Sequence, residues 1–101
     1  MSRSVAFRRA AFRELVEAAE WHEERHAGLG TDFAAEINHA IELLKEHPER
    51  FPQMHKDVRC VRVRRFPYSV FFRIEPHRIV VLAVFHARRD PTVWQERLYQ
   101  E

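Results

Sequence analysis

Residues Ile79–Phe85 are seven consecutive apolar side chains. An amphipathic surface helix has no place for such a run, and neither does a strand with one wet face. Seven residues make a strand, and a membrane-spanning helix needs about 20. The run therefore predicts a central strand covered on both faces. The rest of the chain must supply its flanking strands and its covers. With 101 residues, and roughly 100–200 residues to a domain, one domain spanning 1–101 is expected.

Helical periodicity precedes the strand. Val5–Phe7 reads as a short first strand, and from Arg9 to His26 the pattern is helical. Phe12, Leu15, Val16, Ala19 and His22 recur at three- and four-residue steps among Glu14, Glu17, Glu20 and Glu24. Gly28 and Gly30 stop that helix, because glycine adopts the left-handed cap conformation freely. Gly30 or Thr31 then caps a second helix, with Asp32 in its positive first turn. Phe33, Ile37, Ala40, Ile41 and Leu44 form its apolar stripe, and Pro48 ends it near Glu46–His47. A short link between two such helices predicts an antiparallel hairpin.

Residues 48–58 read as a loop. After it the period becomes two. Over 59–66, Val61 and Val63 face one way, and Cys60, Arg62 and Arg64 the other. Tyr68, Val70, Phe72 and Ile74 alternate with Ser69, Phe71, Arg73 and Glu75, and Pro76-His77 is a turn. Strands this close together predict an antiparallel meander. The tail closes with a helical turn over 94–99. The fold class is α+β: an N-terminal strand and an antiparallel helical hairpin packed on a small twisted antiparallel sheet.

The composition, 46% hydrophobic and 32% charged, is too apolar for a disordered chain and too charged for a membrane protein. One cysteine allows no internal disulfide. With no apolar signal core in the first dozen residues, the expected location is the cytoplasm. The formal charge of +2 hides a division. Residues 1–13 carry +4, residues 14–57 carry −7 and residues 58–101 carry +5. Fifteen of the bases are Arg and two are Lys. Arginine favours planar, bidentate contacts to carboxylate or phosphate.

Three constellations carry potential chemistry. His22-Glu23-Glu24-Arg25-His26 matches the H-E-x-x-H zinc-protease pattern. Glycines break the helix two residues later and no third ligand stands at a recognisable spacing, so two histidines at the end of an acidic helix is the better account, and no metal is expected. Cys60 has Arg59 and Arg62 beside it, but a small hydrophobe on a strand explains it more simply. The third is the arginine set Arg59, Arg62, Arg64, Arg65, Arg73, Arg88 and Arg89, with His86 and Trp94. It suits an anionic partner: nucleic-acid phosphate or an acidic protein segment. Strand alternation divides its first four members between the two faces.

An ordered series of segments runs along nearly the whole chain. It comprises Ala18-Ala19-Glu20-Trp21-His22-Glu23-Glu24, Gly28-Leu29-Gly30-x-x-Phe33 and His47-Pro48-x-x-Phe51-Pro52. It continues with Arg64-Arg65-Phe66-Pro67-Tyr68-Ser69-Val70-Phe71-Phe72 and ends with Val81 to Phe85, then His86-Ala87-Arg88-Arg89-x-Pro91-x-x-Trp94. In this the chain resembles the ParE/RelE superfamily of bacterial type II toxins, and within it the ParE-type branch, the plasmid stabilisation proteins. The resemblance implies growth arrest by a toxin held silent by a cognate ParD-like antitoxin. It implies poisoning of DNA gyrase by binding, without bond-breaking chemistry of the toxin's own and without a cofactor. The alternative is a RelE-like ribosome-dependent mRNA endonuclease. Where that branch carries its basic and tyrosine residues, this chain reads Arg62, Ser69 and, approximately, Trp94. Arg62 keeps the charge, Ser69 lacks a cation and Trp94 has no ionisable proton. A third outcome is a degenerate member that binds without toxicity.

On the gyrase reading the target-binding residues are Arg62, Arg64, Arg88, Arg89 and Trp94. On the nuclease reading His86 is the base, with Arg62, Arg88 and Arg89 on the phosphate. Phe12, Trp21, Leu29, Arg65 and Arg73 are the expected antitoxin contacts. The antitoxin is expected to order itself on binding, with an amphipathic helix in the groove between hairpin and sheet.

Overall fold

The structure, a computed structural model, describes residues 3–99. The elements are β1 (Ser4–Phe7), α1 (Arg9–Arg25), α2 (Leu29–Glu46), a 3-10 turn (Pro48–Arg50), β2 (Gln53–His55), β3 (Val58–Arg62), β4 (Tyr68–Ile74), β5 (Arg78–His86), α3 (Thr92–Gln95) and a second 3-10 turn (Glu96–Tyr99). The helices pack on one five-stranded sheet in the order β1-β5-β4-β3-β2. No helix among the described residues is long and apolar enough to cross a membrane.

The α+β class and the helical hairpin agree with the sequence. Three details do not. The sheet is mixed rather than wholly antiparallel, because β1 lies parallel to β5, with Ser4 level with Arg78 and Phe7 with Val81. The chain returns for this pairing through the hairpin and then the strands β2, β3 and β4, the long connection that a parallel pair needs. Next, the segment expected as loop contains the edge strand β2, joined to β3 by a turn at Lys56, whose φ is +53°. Last, β3 ends at Arg62. The Val63 N–H donates to the Tyr68 carbonyl at 2.9 Å, and Arg65 turns the chain with φ +71°.

β5 is an interior strand, between β1 and β4 and covered on both faces, as its apolar run requires. Ile79, Val81 and Val84 join the core beneath the helices with Phe33, Ile37, Ala40, Ile41, Leu44, Val61, Val63, Val70 and Phe72. Val80, Leu82, Ala83 and Phe85 face the other way, with Val58 and Trp94. The alternation changes phase because β5 is bulged. Phe71 is level with Ala83 while Phe72 is level with Val81, leaving Leu82 as the extra residue.

The buried stripe of α1 is rotated from the expected one. Phe12 is 56% exposed and Val16 38%. Of the expected stripe, His22 is buried and Leu15 half-buried, but Ala11 and Ala18 join them in place of Phe12 and Val16, giving the i, i+4, i+7, i+11 series of one helix face. Small residues on that face let the helices approach closely. Gly30 lies inside α2, where a Cβ would meet the Ala19 carbonyl and come within 2.9 Å of the Glu23 Cβ. The N-cap of α2 is therefore neither Gly30 nor Thr31 but Gly28, with φ +88°.

The middle of the zinc-like pattern is a cap. The Glu23 carboxylate accepts the Gly28 N–H at 2.9 Å and the Gly30 N–H at 3.0 Å. These bonds hold its pKa below the ordinary carboxylate value. A depressed carboxylate pKa contributes stability that is present above its unfolded value and lost as pH falls through the folded one. Glu23→Gln should therefore melt lower at neutral pH and lose less on acidification. Thermal melts of both proteins from neutral pH into the carboxylate range check this.

Candidate functional site

The sheet gathers the predicted residues at one end. Arg62 on β3 is level with Ser69 on β4, and Ser69 with Phe85 on β5. Tyr68 is level with His86, and the Ala87 N–H donates to the Pro67 carbonyl at 2.8 Å. The β3–β4 turn, carrying Arg64 and Arg65, thus adjoins the segment leaving β5, carrying Arg88 and Arg89. All five arginines are exposed. The division by strand face is overcome because turn and strand end share one rim.

Their partners differ. Arg64 reaches Glu36 at 4.0 Å, and Arg65 reaches Asp32 at 3.5 Å and Glu36 at 3.8 Å, so this pair leans on α2. The arginine ends of these pairs are exposed and the separations long, so the pairs are weak. Arg89 donates to Glu14 at 3.1 Å and lies 4.3 Å above the Phe85 ring. Arg59 is a structural member of the set, donating to the Phe51 carbonyl at 2.6 Å and the Glu49 carbonyl at 3.1 Å. Arg73 pairs with Asp57 at 3.0 Å.

Trp94 is corrected from surface contact to core. It is 3% exposed and stacks on Phe71 with ring centroids 4.2 Å apart. Its burial anchors α3 against the sheet face that the hairpin leaves uncovered. The Asp90 side chain accepts the Thr92 N–H at 3.0 Å and begins that helix; the bond lowers the Asp90 pKa.

His86 is half-buried. Its Nδ1 accepts the Arg88 N–H at 3.0 Å, so the ring hydrogen of the neutral form sits on Nε2. Its ring packs edge-on against Tyr68 at 5.0 Å. Burial pushes the Tyr68 phenol up, against the opposing pull of the Arg89 charge. Cys60 is half-buried, and burial raises its thiol pKa above the usual value. That is the reverse of an activated nucleophile.

Between α1 and this end of the sheet lies a pocket of about 500 Å³. Trp21, Ala18 and His22 form one wall, Pro67, Tyr68 and Val84 the other, with Glu14, Glu17, His86 and Arg89 around them. Among the expected antitoxin contacts only Trp21 lines it. Trp21 is 50% exposed and carries the Arg25 guanidinium 3.6 Å from its ring centroid. Phe12 is exposed nine positions earlier, half a turn round the helix. Leu29 is half-buried at the start of α2. His22 is committed to the fold. Its Nδ1–H donates to the Ala18 carbonyl at 2.7 Å, and its ring stacks on Phe33 at 4.9 Å. His26, its partner in the zinc-like pattern, is exposed.

Two residues of this region were not legible in the sequence: Glu14 and Arg97, which pair at 2.7 Å beside the pocket. They are 83 positions apart, and no local spacing announces such a pair.

Known proteins share this architecture. The chromosomal ParDE toxin–antitoxin system of P. aeruginosa contains a chain that superposes with a TM-score of 0.72 at 21% identity, covering 86% of this chain and 98% of that one. The RelBE2 toxin–antitoxin complex of Mycobacterium tuberculosis contains one with a TM-score of 0.60 at 22% identity, covering 85% and 99%. Among curated protein sequences none matches the chain significantly. The sequence model of the ParE toxin of the type II toxin-antitoxin system parDE matches residues 5–91, from the first strand to the start of the tail. With that match over most of its length, the chain belongs to the ParE toxin family and is a ParE-type toxin of a type II toxin–antitoxin system.

Proposed function

We propose that this toxin arrests growth by binding DNA gyrase through the arginine rim at the end of the sheet, and that a cognate antitoxin silences it from the neighbouring pocket. The observation that carries the target surface is the convergence of Arg62, Arg64, Arg88 and Arg89 on one rim. Such a cluster steers an acidic or phosphate-bearing partner and fixes its orientation. The pocket suits an amphipathic helix of the antitoxin, with an apolar side chain between Trp21 and Tyr68 and carboxylates toward the rim. Both structural neighbours come from toxin–antitoxin systems, which supports a protein partner of this kind.

The purified toxin should inhibit gyrase supercoiling at micromolar concentration. Reversing both charges in Arg88→Glu/Arg89→Glu should weaken inhibition by about a hundredfold, since like charges across an interface cost several kcal/mol. A toxin without effect on gyrase removes this target. One observation favours the endonuclease instead: His86 and Tyr68 stand side by side at the rim. Site-specific transcript cuts that vanish in His86→Ala would replace the gyrase reading with that one.

A further inference from the structure

Glu14 ties three parts of the toxin together. Its Oε1 accepts the Val84 N–H at 3.0 Å and Arg97 Nη1 at 3.0 Å. Its Oε2 accepts Arg97 Nη2 at 2.7 Å and Arg89 Nη1 at 3.1 Å. Arg97 Nη1 also donates to the Leu82 carbonyl at 3.0 Å. Leu82 is the bulged residue and Val84 lies two positions beyond it, on the stretch of β5 past the last β1 pairing at Val81. A carboxylate from α1 and a guanidinium from the tail serve the backbone groups there that a neighbouring strand would serve. The Glu14 and Arg97 side chains are only 11% and 14% exposed, so the charged bonds are less screened than surface pairs.

We propose that Glu14 is the positioning residue of the C-terminal segment: it holds Arg97 and Arg89 in the arrangement in which the segment meets its target. The proposal rests on the assignment of Arg89 to the target surface. The chemistry singles out a carboxylate. Arg97 engages both oxygens in a fork, and Arg89 shares one of them. Glutamine at this position keeps an acceptor for Val84 but turns an amide N–H₂ toward a guanidinium, donor against donor. It also leaves two cations beside Phe85 uncompensated. Aspartate is one methylene shorter and does not span the same distance from α1.

The test uses the full chain with trypsin, which cleaves after arginine. In Glu14→Gln, cleavage after Arg89 and Arg97 should accelerate about tenfold, the scale of one lost charge-assisted hydrogen bond, with cleavage after Arg25 and Arg50 unchanged. Inhibition of gyrase should fall by a similar factor. Arg97→Gln, read after Arg89, removes the same tie from the other side and serves if Glu14→Gln does not fold. Cleavage that is unchanged, or that rises equally at every site, overturns the proposal. So does a loosened tail with undiminished inhibition. Arg89→Ala separates the two assignments. If it inhibits like the wild type, the target surface is wrong and the functional half of the proposal falls with it, while the cleavage pattern still decides whether Glu14 holds the segment.

Discussion

Phe33→Ala should remove about 3–5 kcal/mol of stability, most of what a small domain has. Phe33 is fully buried at the junction of α2 and the sheet. Its ring meets His22 at 4.9 Å, Phe66 at 5.1 Å and Tyr68 at 4.8 Å. Truncation leaves a void among rings that have no room to collapse, and it removes the support beneath the pocket wall. The expected melting temperature is lower by about 20 °C, on the usual scaling for a domain of this size. Phe12→Ala is the comparison. With Phe12 more than half exposed, it should change stability by about 0.5 kcal/mol or less. Equal losses in the two variants would contradict the rotated stripe of α1.

The second large effect is expected at Gly30. In Gly30→Ala the new methyl meets the Ala19 carbonyl, which is backbone within α1 and does not swing aside, and the Glu23 Cβ. Relief requires the two helices to separate, which disturbs the Glu23 cap as well. A loss of about 2–3 kcal/mol follows, at the upper end of ordinary overpacking. Gly28→Ala provides the contrast. Its Cβ would enter open space, but φ of +88° suits glycine, so the expected loss is about 1 kcal/mol, from conformation alone. Chemical denaturation of the two variants should rank Gly30 well above Gly28.

The sequence disclosed most of the architecture through apolar period. Ile79–Phe85 announced a two-sided strand, and the five residues Phe33, Ile37, Ala40, Ile41 and Leu44 announced the face of α2; all are buried. The face of α1 was misplaced because periodicity weighs Phe12 and Val16 above Ala11 and Ala18, whereas a close helix crossing buries the small residues. β2 was hidden because it is short, polar and at an edge, and because its turn uses Lys56-Asp57 in place of a glycine or asparagine signal. The phase change in β5 is invisible in a segment where every residue is apolar. Trp94 was assigned to the target surface because it closes the arginine-rich segment that carries the family resemblance. What covers it is the far face of the sheet, a tertiary fact.

The arginine rim was legible as a composition and not as a place. Sequence put Arg62 and Arg64 on one face and Arg59 and Arg65 on the other. The turn after β3 brings Arg64 and Arg65 out of the strand altogether. The Glu14–Arg97 pair lay beyond sequence reasoning because each partner alone is an ordinary charged residue.

The parallel pairing of β1 with β5 has a consequence for how the toxin comes into being. Antiparallel neighbours such as β3 and β4 can zip from a local turn, but Ser4 must wait for Arg78. During synthesis the hairpin leaves the ribosome first, with its apolar face still lacking the central strand. The sheet closes only after β5 has emerged, because contacts of such long sequence separation carry the full loop-closure cost before any reward. The first strand therefore finds its partner only late in translation. Until then the apolar face of the hairpin stands uncovered, and only the arrival of β5 shields it.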